Sequence, residues 1–198
     1  MPPNDWVVFD LETTGLSPEW DRVIQIAAVR MRDGRVLQSE TFASYVDPGR
    51  SIPAWIEQYT GVTNGDVRGA SPFDRVLAHF SAWVGDATLV AHNGHRFDMH
   101  FLRAGCQRHG LPTRVVDYHD SIWLSRRVWP TARLRHGLDA VLERLCLSKS
   151  LVRRHDARGD AELLGLALER MAAEMSGRAE PWEFRTETGV LPALPATG

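Results

Sequence analysis

The sequence predicts an α/β fold with one mixed β-sheet, in which the first three strands are antiparallel and helices flank the sheet. Three strand-like segments come before any helical segment, and from residue 53 onward helical segments alternate with short apolar strands. This order is typical of a sheet covered by helices. The chain has 198 residues, 43% of them hydrophobic, which is enough for one buried core. We therefore expect a single domain.

The first three elements are predicted strands. Residues 6–10 are apolar until they end in an acid, as in a short buried strand. Residues 22–31 and 36–46 also have strand character, and Asp33-Gly34 between them is a hairpin signal. Because a hairpin joins antiparallel neighbours, the sheet is expected to begin with antiparallel strands.

Helical patterns follow these strands. Pro53 can begin a helix that runs to about Tyr59, and Ser71-Pro72 can begin a second one with an apolar face. The rest of the pattern predicts strands at 88–91 and 114–117, and helices at 96–109, 119–128, 137–146 and 158–175. Residues 1–180 are expected to form the domain. Residues 181–198 contain three prolines and little periodicity, so they are expected to form a C-terminal tail.

Composition limits the classes of function. The formal net charge is -2, so binding to a polyanion would depend on local features or on bound cations. Cys106 and Cys146 are too few for a disulfide scaffold. The first residues have neither the basic start nor the apolar run of a signal peptide, and no stretch approaches the ~20 apolar residues of a membrane span. We expect a cytoplasmic protein with no membrane partner.

Asp10 and Glu12 form the first candidate site. Residues two apart on a strand share a face, so these carboxylates lie side by side at the end of a buried strand. Two such charges repel each other unless a cation lies between them. A solvated turn would explain the same pair.

Asp98 and Asp160 each fall in the first turn of a predicted helix. The helix dipole alone would favour an acid there. Together, however, the four acids lie at the ends of buried elements, where α/β domains bind ligands. Their oxygen atoms suit Mg²⁺ or Mn²⁺ better than zinc. His155, on the loop before Asp160, could converge on the same point, although a lone histidine is more often structural.

Three motifs carry a family resemblance. DLETTGL at 10–16, AHNGHRFD at 91–98 and HDARGD at 155–160 resemble the three Exo motifs of the DEDDh (DnaQ-like) exonucleases. The resemblance extends from about residue 6 to about residue 175, and includes Thr60-Gly61-Val62 and Val115-Val116-Asp117. The second and third motifs are locally closest to the TREX-type three-prime repair exonucleases, but the proline-rich insertion of some animal members is absent.

The resemblance implies an RNase H-like fold and a 3′–5′ exonuclease that releases nucleoside 5′-monophosphates with two divalent cations, Mg²⁺ or Mn²⁺. It implies metal binding by four acids and proton abstraction from water by a histidine: Asp10, Glu12, Asp98, Asp160 and His155. It also implies contacts with the terminal nucleotide, in which Leu16 wedges beside the last base and Val62 covers its other face. These contacts involve Thr13, Gly15, Leu16, Gly61 and Val62, and for Leu16 and Val62 plain packing is the alternative.

The expected partner is the 3′ end of a nucleic acid, with single-stranded DNA favoured and RNA left open. A homodimer or association with a polymerase is also compatible with the sequence. One alternative is an exoribonuclease of the same fold. Another is a catalytically idle nucleic-acid-binding subunit, which would be expected to lack an acid or the histidine, whereas all five residues are present.

Overall fold

The computed structural model describes residues 5–131, 133, 135–147, 156–178 and 185–194. These residues form six strands and six helices. The strands are β1 (Asp5–Thr13), β2 (Val23–Arg32), β3 (Arg35–Tyr45), β4 (Thr88–Ala91), β5 (Thr113–Asp120) and β6 (Thr186–Pro192). The helices are α1 (Ala54–Thr60), α2 (Phe73–Val84), α3 (Asp98–Arg108), α4 (Ser121–Val128), α5 (Leu138–Arg144) and α6 (Ala157–Gly177).

The six strands form one mixed sheet in the order β3-β2-β1-β4-β5-β6. β1 pairs antiparallel with β2, and β2 pairs antiparallel with β3, which confirms the predicted start of the sheet. β4 runs parallel to both β1 and β5. Asp33 and Gly34 both have positive φ, at 50° and 75°, as the tight turn between β2 and β3 requires.

The alternating side chains of β1 divide the core between the two faces of the sheet. Val7, Phe9 and Leu11 pack in a cluster that includes apolar residues of α2 and α3. Trp6 and Val8 pack in a second cluster with α4, α5 and α6. β1 is thus anchored on both faces, so its end is a rigid support. Among the described helices, none combines the length and apolar character needed to cross a membrane.

The prediction of a tail after residue 180 is wrong for residues 186–192, which form the edge strand β6. This strand pairs antiparallel with β5, and the hydroxyl of Ser81 donates a hydrogen bond to the carbonyl of Pro192 at 2.7 Å. Leu191 is fully buried. Local periodicity is weak because the strand is short and depends on pairing with β5, about 70 residues earlier. Pro192 is tolerated because it ends an edge strand.

The end of β5 also differs from the prediction. Residues 114–117 were predicted to form a strand that ends in the acid Asp117, but β5 continues to Asp120. The last three residues pair with β4, where Ala91 lies opposite Asp120. Asp117 is exposed, whereas Asp120 is buried at 3% exposure. The acid that ends this strand inside the protein is therefore Asp120.

Candidate active site

Asp10 and Glu12 lie on the face of β1 that α6 covers. They continue the alternation of Trp6 and Val8, as the predicted strand required. Glu12 is only 8% exposed. Because the preceding residues of β1 are packed in the core, the backbone that carries the two carboxylates is fixed.

Asp160 reaches the same place because the first turn of α6 is tied to β2. The buried side chain of Gln25, opposite Glu12 in the sheet, accepts a hydrogen bond from the amide of Ala157 at 3.0 Å. Its amide group donates to the carboxylate of Asp156, the N-cap of α6, at 3.1 Å. Gln25 therefore sets where α6 begins. The sequence analysis did not identify this residue, because a glutamine within an apolar strand carries no local signal for its partner.

The three carboxylates converge. Oxygen atoms of Asp10, Glu12 and Asp160 lie within 4.8 Å of one another. At such distances three negative charges repel strongly, and a divalent cation between them would remove this repulsion. Hard carboxylate oxygens are the ligands that Mg²⁺ and Mn²⁺ prefer. The geometry therefore fits a metal ion.

Asp98 is the fourth acid, in the first turn of α3 and 2% exposed. Burial raises its pKa from the usual 3.8 to about 7, and the negative charge of Asp120 acts in the same direction. Backbone hydrogen bonds from its own amide and from that of Leu11 lower this pKa. The hydrogen bond from Leu11 places the carboxylate beside β1, at the residue that separates Asp10 from Glu12 in the sequence. Its Oδ1 atom is buried and accepts no hydrogen bond from the described residues, so it too is suited to a cation.

His155, the predicted general base, lies outside the described residues. The structure therefore brings together Asp10, Glu12 and Asp160 and places Asp98 against the backbone of β1, while the position of the histidine stays a prediction.

A cavity of about 220 Å³ opens beside the acids. Its lining includes three of the predicted nucleotide contacts, Thr13, Gly15 and Leu16, together with Phe97 and residues of α1. Leu16 is 77% exposed. Gly61 and Val62 do not line this cavity: Gly61 ends α1 with a φ of 73°, and Val62 is buried in a small cluster beneath the helix.

The loop that carries Leu16 is held by Asp21. The carboxylate of Asp21 accepts hydrogen bonds from the hydroxyl of Thr14 at 3.2 Å and from the amide of Ser17 at 2.9 Å. A Cβ atom at Gly15 would lie 2.4 Å from this carboxylate, so only glycine fits there. The conformation of the loop thus keeps the side chain of Leu16 exposed.

Two aromatic residues of α1 were missed by the sequence analysis. Trp55 and Tyr59 are each 58% exposed and line the same cavity as Leu16. They are four residues apart, so they share one face of the helix, while Ile56 between them is buried. Aromatic residues spaced in this way around a buried residue were the signal that could have identified them.

A second, more polar cavity of about 580 Å³ shares Asp10, Tyr59 and Asp160 with the first. Its other lining residues include His92, Arg135, Asp139 and Glu143. The acids therefore lie where two openings meet. One opening is apolar and aromatic, and the other is polar with mainly acidic charged side chains.

Residues 7–167 match the RNase_T exonuclease family. The chain belongs to this exonuclease family. Among curated relatives, it is 40% identical over 170 residues to the DNA polymerase III PolC-type of Latilactobacillus sakei, a match that covers 86% of this chain and 11% of the relative. This exonuclease thus spans about a tenth of the length of the curated relatives it matches.

Solved structures support the same fold. The nuclease domain of 3′hExo, a DEDDh family member bound to rAMP, aligns with a TM-score of 0.75 at 18% identity, covering 93% of this exonuclease and 97% of that chain. Exonuclease X in complex with 5′ overhanging duplex DNA aligns with a TM-score of 0.67 at 22% identity, covering 89% of this exonuclease and 94% of that chain. The family match confirms the prediction of an exonuclease, and the alignments confirm the predicted RNase H-like fold.

The raised pKa of Asp98 predicts how pH acts on the metal-free exonuclease. A buried carboxyl group whose pKa is raised in the folded state stabilises that state at low pH, and this contribution is lost as pH rises from about 4 to about 7. The loss amounts to up to about 4 kcal/mol. We expect the Tm in EDTA to fall across this range, and the Tm gain on adding Mn²⁺ to grow as Asp98 ionises. Calorimetry at several pH values measures both.

The matched variant is Asp98→Asn, which cannot ionise. Its Tm in EDTA should depend less on pH than that of the wild type. If both proteins showed the same pH profile with and without Mn²⁺, the pKa of Asp98 would not be the cause.

Proposed function

We propose that this exonuclease removes nucleotides one at a time from the 3′ end of single-stranded DNA, and that it serves to proofread or repair DNA. The observation that carries the proposal is the convergence of Asp10, Glu12 and Asp160 beside a cavity that contains exposed Leu16, Trp55 and Tyr59. The acids supply the ligands for hydrolysis, and the cavity supplies an apolar surface for one terminal base.

The four acids would hold two divalent cations, Mg²⁺ or Mn²⁺, which lower the pKa of water and offset charge on the departing 3′ oxygen. Asp10, Glu12 and Asp160 would bind one ion, with Asp10 shared and Asp98 directed to the second. His155 would accept the proton of the attacking water, a role that requires a neutral imidazole near pH 7.

The terminal base would lie between Leu16 and the aromatic face of α1. Bases stack on aromatic side chains whatever their sequence, which suits an enzyme that must accept every 3′ terminus. Thr13 and Gly15 line the same cavity and would contact the sugar and phosphate. Gly61 would contribute by ending α1, and Val62 by supporting that helix from below.

The preference for DNA rests on the similarity to PolC-type DNA polymerases, which also supports association with a polymerase as the partner. The neighbouring folds do not separate the substrates, because one was solved with rAMP and another with duplex DNA. A cytoplasmic location would accord with such a role.

The deciding experiment compares matched DNA and RNA strands that carry a label at the 5′ end. With Mg²⁺ or Mn²⁺, we expect DNA to be shortened from the 3′ end with release of nucleoside 5′-monophosphates, and RNA to be degraded more slowly. Faster degradation of RNA would overturn the substrate proposal and favour the exoribonuclease. Release of oligonucleotides from internal cuts would overturn the one-nucleotide mechanism.

Replacement of Trp55 tests the base-binding cavity. Because stacking of a base on an aromatic side chain contributes about 1–3 kcal/mol, Trp55→Ala should raise KM for single-stranded DNA about tenfold, with a smaller change in kcat. Trp20→Ala is the matched control, since Trp20 is 72% exposed but lies outside the lining of the cavity. Equal effects of the two substitutions on KM would place the terminal base elsewhere.

A further inference from the structure

Asp120 is a buried acid that the reaction outlined above does not use. It ends β5 beside Ala91, the last residue of β4, and is 3% exposed. The turn of residues 92–97, which leads into α3 and Asp98, begins directly after Ala91. Asp120 is therefore next to the segment that delivers one of the active-site acids.

The carboxylate of Asp120 accepts three backbone hydrogen bonds. Oδ1 accepts from the amides of Asn93 at 3.0 Å and Ile122 at 2.9 Å, and Oδ2 accepts from the amide of His95 at 3.1 Å. The contact with Ile122 caps α4, whereas the other two join β5 to the turn before α3. The next residue, Ser121, adds a hydrogen bond of 2.8 Å between its hydroxyl and Nδ1 of His92. We call Asp120 and Ser121 the turn clamp.

The turn needs support from outside because its own geometry is unfavourable. Asn93 has a φ of 67°, a left-handed conformation that costs a non-glycine residue free energy. A Cβ at Gly94 would lie 2.7 Å from the Cβ of Ala91, which shows how tightly the turn packs. Phe97, the N-cap of α3, provides no side-chain hydrogen bond to the helix. Backbone hydrogen bonds within the turn, such as that from the amide of Met99 to the carbonyl of Gly94 at 3.1 Å, hold the start of α3, and the turn clamp adds side-chain support from β5 and α4.

The three N–H donors explain why position 120 of the turn clamp is an acid. An asparagine could accept hydrogen bonds only at its single oxygen, and its amide group would point a donor at one of the N–H groups. A carboxylate accepts all three, although its charge lies close to that of Asp98 and opposes ionisation there. A residue with only a packing role would not need this unfavourable charge.

We propose that Asp120 is a positioning residue for the active site, which fixes the turn of residues 92–97 so that the Asp98 carboxylate lies against β1 at Leu11. Asp120 acts through the backbone and does not touch the substrate. The inference rests on the proposed role of Asp98 in holding a cation. Partners that orient metal ligands in this way change metal affinity or activity by roughly 10- to 100-fold when replaced.

The test compares Asp120→Asn with Asp117→Asn, the same change on the same strand at an exposed position. We expect Asp120→Asn to lower kcat roughly 10- to 100-fold and to raise the Mg²⁺ concentration for half-maximal rate, with KM for DNA changed less than about twofold. Asp117→Asn should leave all three values unchanged. A folded Asp120→Asn protein with normal kcat and Mg²⁺ dependence would overturn the proposal, as would an effect confined to Tm.

The kinetics of Ser121→Ala and the affinity for Mn²⁺ provide two further tests. If Asp120→Asn does not fold, Ser121→Ala loosens the same turn through His92, and an unchanged kcat and Mg²⁺ dependence in folded Ser121→Ala would count against the clamp. Mn²⁺ affinity measured by calorimetry requires no nuclease activity. A wild type that binds Mn²⁺ but degrades no nucleic acid would refute the proposed function, while weaker Mn²⁺ binding by Asp120→Asn would still support the positioning role.

Discussion

Asp10→Asn and Asp160→Asn are each expected to lower the rate of 3′-end hydrolysis by at least about a thousandfold. Both residues belong to the group of carboxylates whose oxygens lie within 4.8 Å of one another, and both line the two cavities that meet at the site. Loss of either charge would remove a ligand of the proposed cations. Single-turnover release of the terminal nucleotide from a labelled DNA strand measures the effect.

The same substitutions should raise the stability of the metal-free protein although they lower the rate of hydrolysis. Replacing one of three mutually repelling carboxylates with a neutral amide relieves repulsion in the metal-free protein, so its Tm is expected to rise by a few degrees. Glu162→Gln is the matched control, two residues from Asp160 on the same helix and outside the carboxylate cluster. Loss of activity in Glu162→Gln, or a large fall in Tm in Asp160→Asn, would mean that the substitutions act through folding.

The same assay tests the general base. His155→Ala should lower the rate by about 10²- to 10⁴-fold, because proton transfer by a positioned side chain contributes an effect of that size. A wild-type rate at neutral pH would refute the role of His155.

Removal of divalent cations is expected to abolish hydrolysis while the protein stays folded. Asp10 and Glu12 lie near the end of a strand whose other residues pack in two apolar clusters, so we expect the fold not to depend on a metal. In EDTA we expect no release of nucleotides, and titration with Mg²⁺ or Mn²⁺ should restore the rate and raise the Tm, since a ligand that binds only the folded state stabilises it. Undiminished activity in EDTA would refute the metal mechanism.

The Asp10→Asn protein provides the control for the cation effect. With one ligand removed, Mg²⁺ should raise its Tm much less than that of the wild type. An equal gain in Tm for both proteins would indicate that the cation binds elsewhere on the surface.

Much of the site could be predicted from the sequence because its acids follow local rules. Asp10 and Glu12 share a face because side chains on a strand alternate, and Asp98 and Asp160 begin helices whose apolar patterns are clear. The order of the elements, read from periodicity and turn signals, also predicted the antiparallel start of the sheet. The motifs then identified the family.

Other features depend on contacts between distant parts of the chain. Gln25 ties α6 to β2 across about 130 residues, and Asp120 holds a turn 25 to 27 residues before it. The hydrogen-bond partner of a polar side chain depends on the folded structure. The periodicity of the sequence therefore does not reveal it. Asp117 looked like the acid at the end of a strand, yet pairing between β4 and β5 carries that strand on to Asp120.

The sequence by itself determined the family, the chemistry of the four acids and the alternation of strands and helices, because these rest on residue type and short-range spacing. Only the tertiary structure decided that Trp55 and Tyr59 line one cavity with Leu16, that residues 186–192 complete the sheet, and that Asp120 supports the turn before Asp98. These features arise from packing and backbone hydrogen bonds between segments far apart in the chain, which form only when the domain is folded.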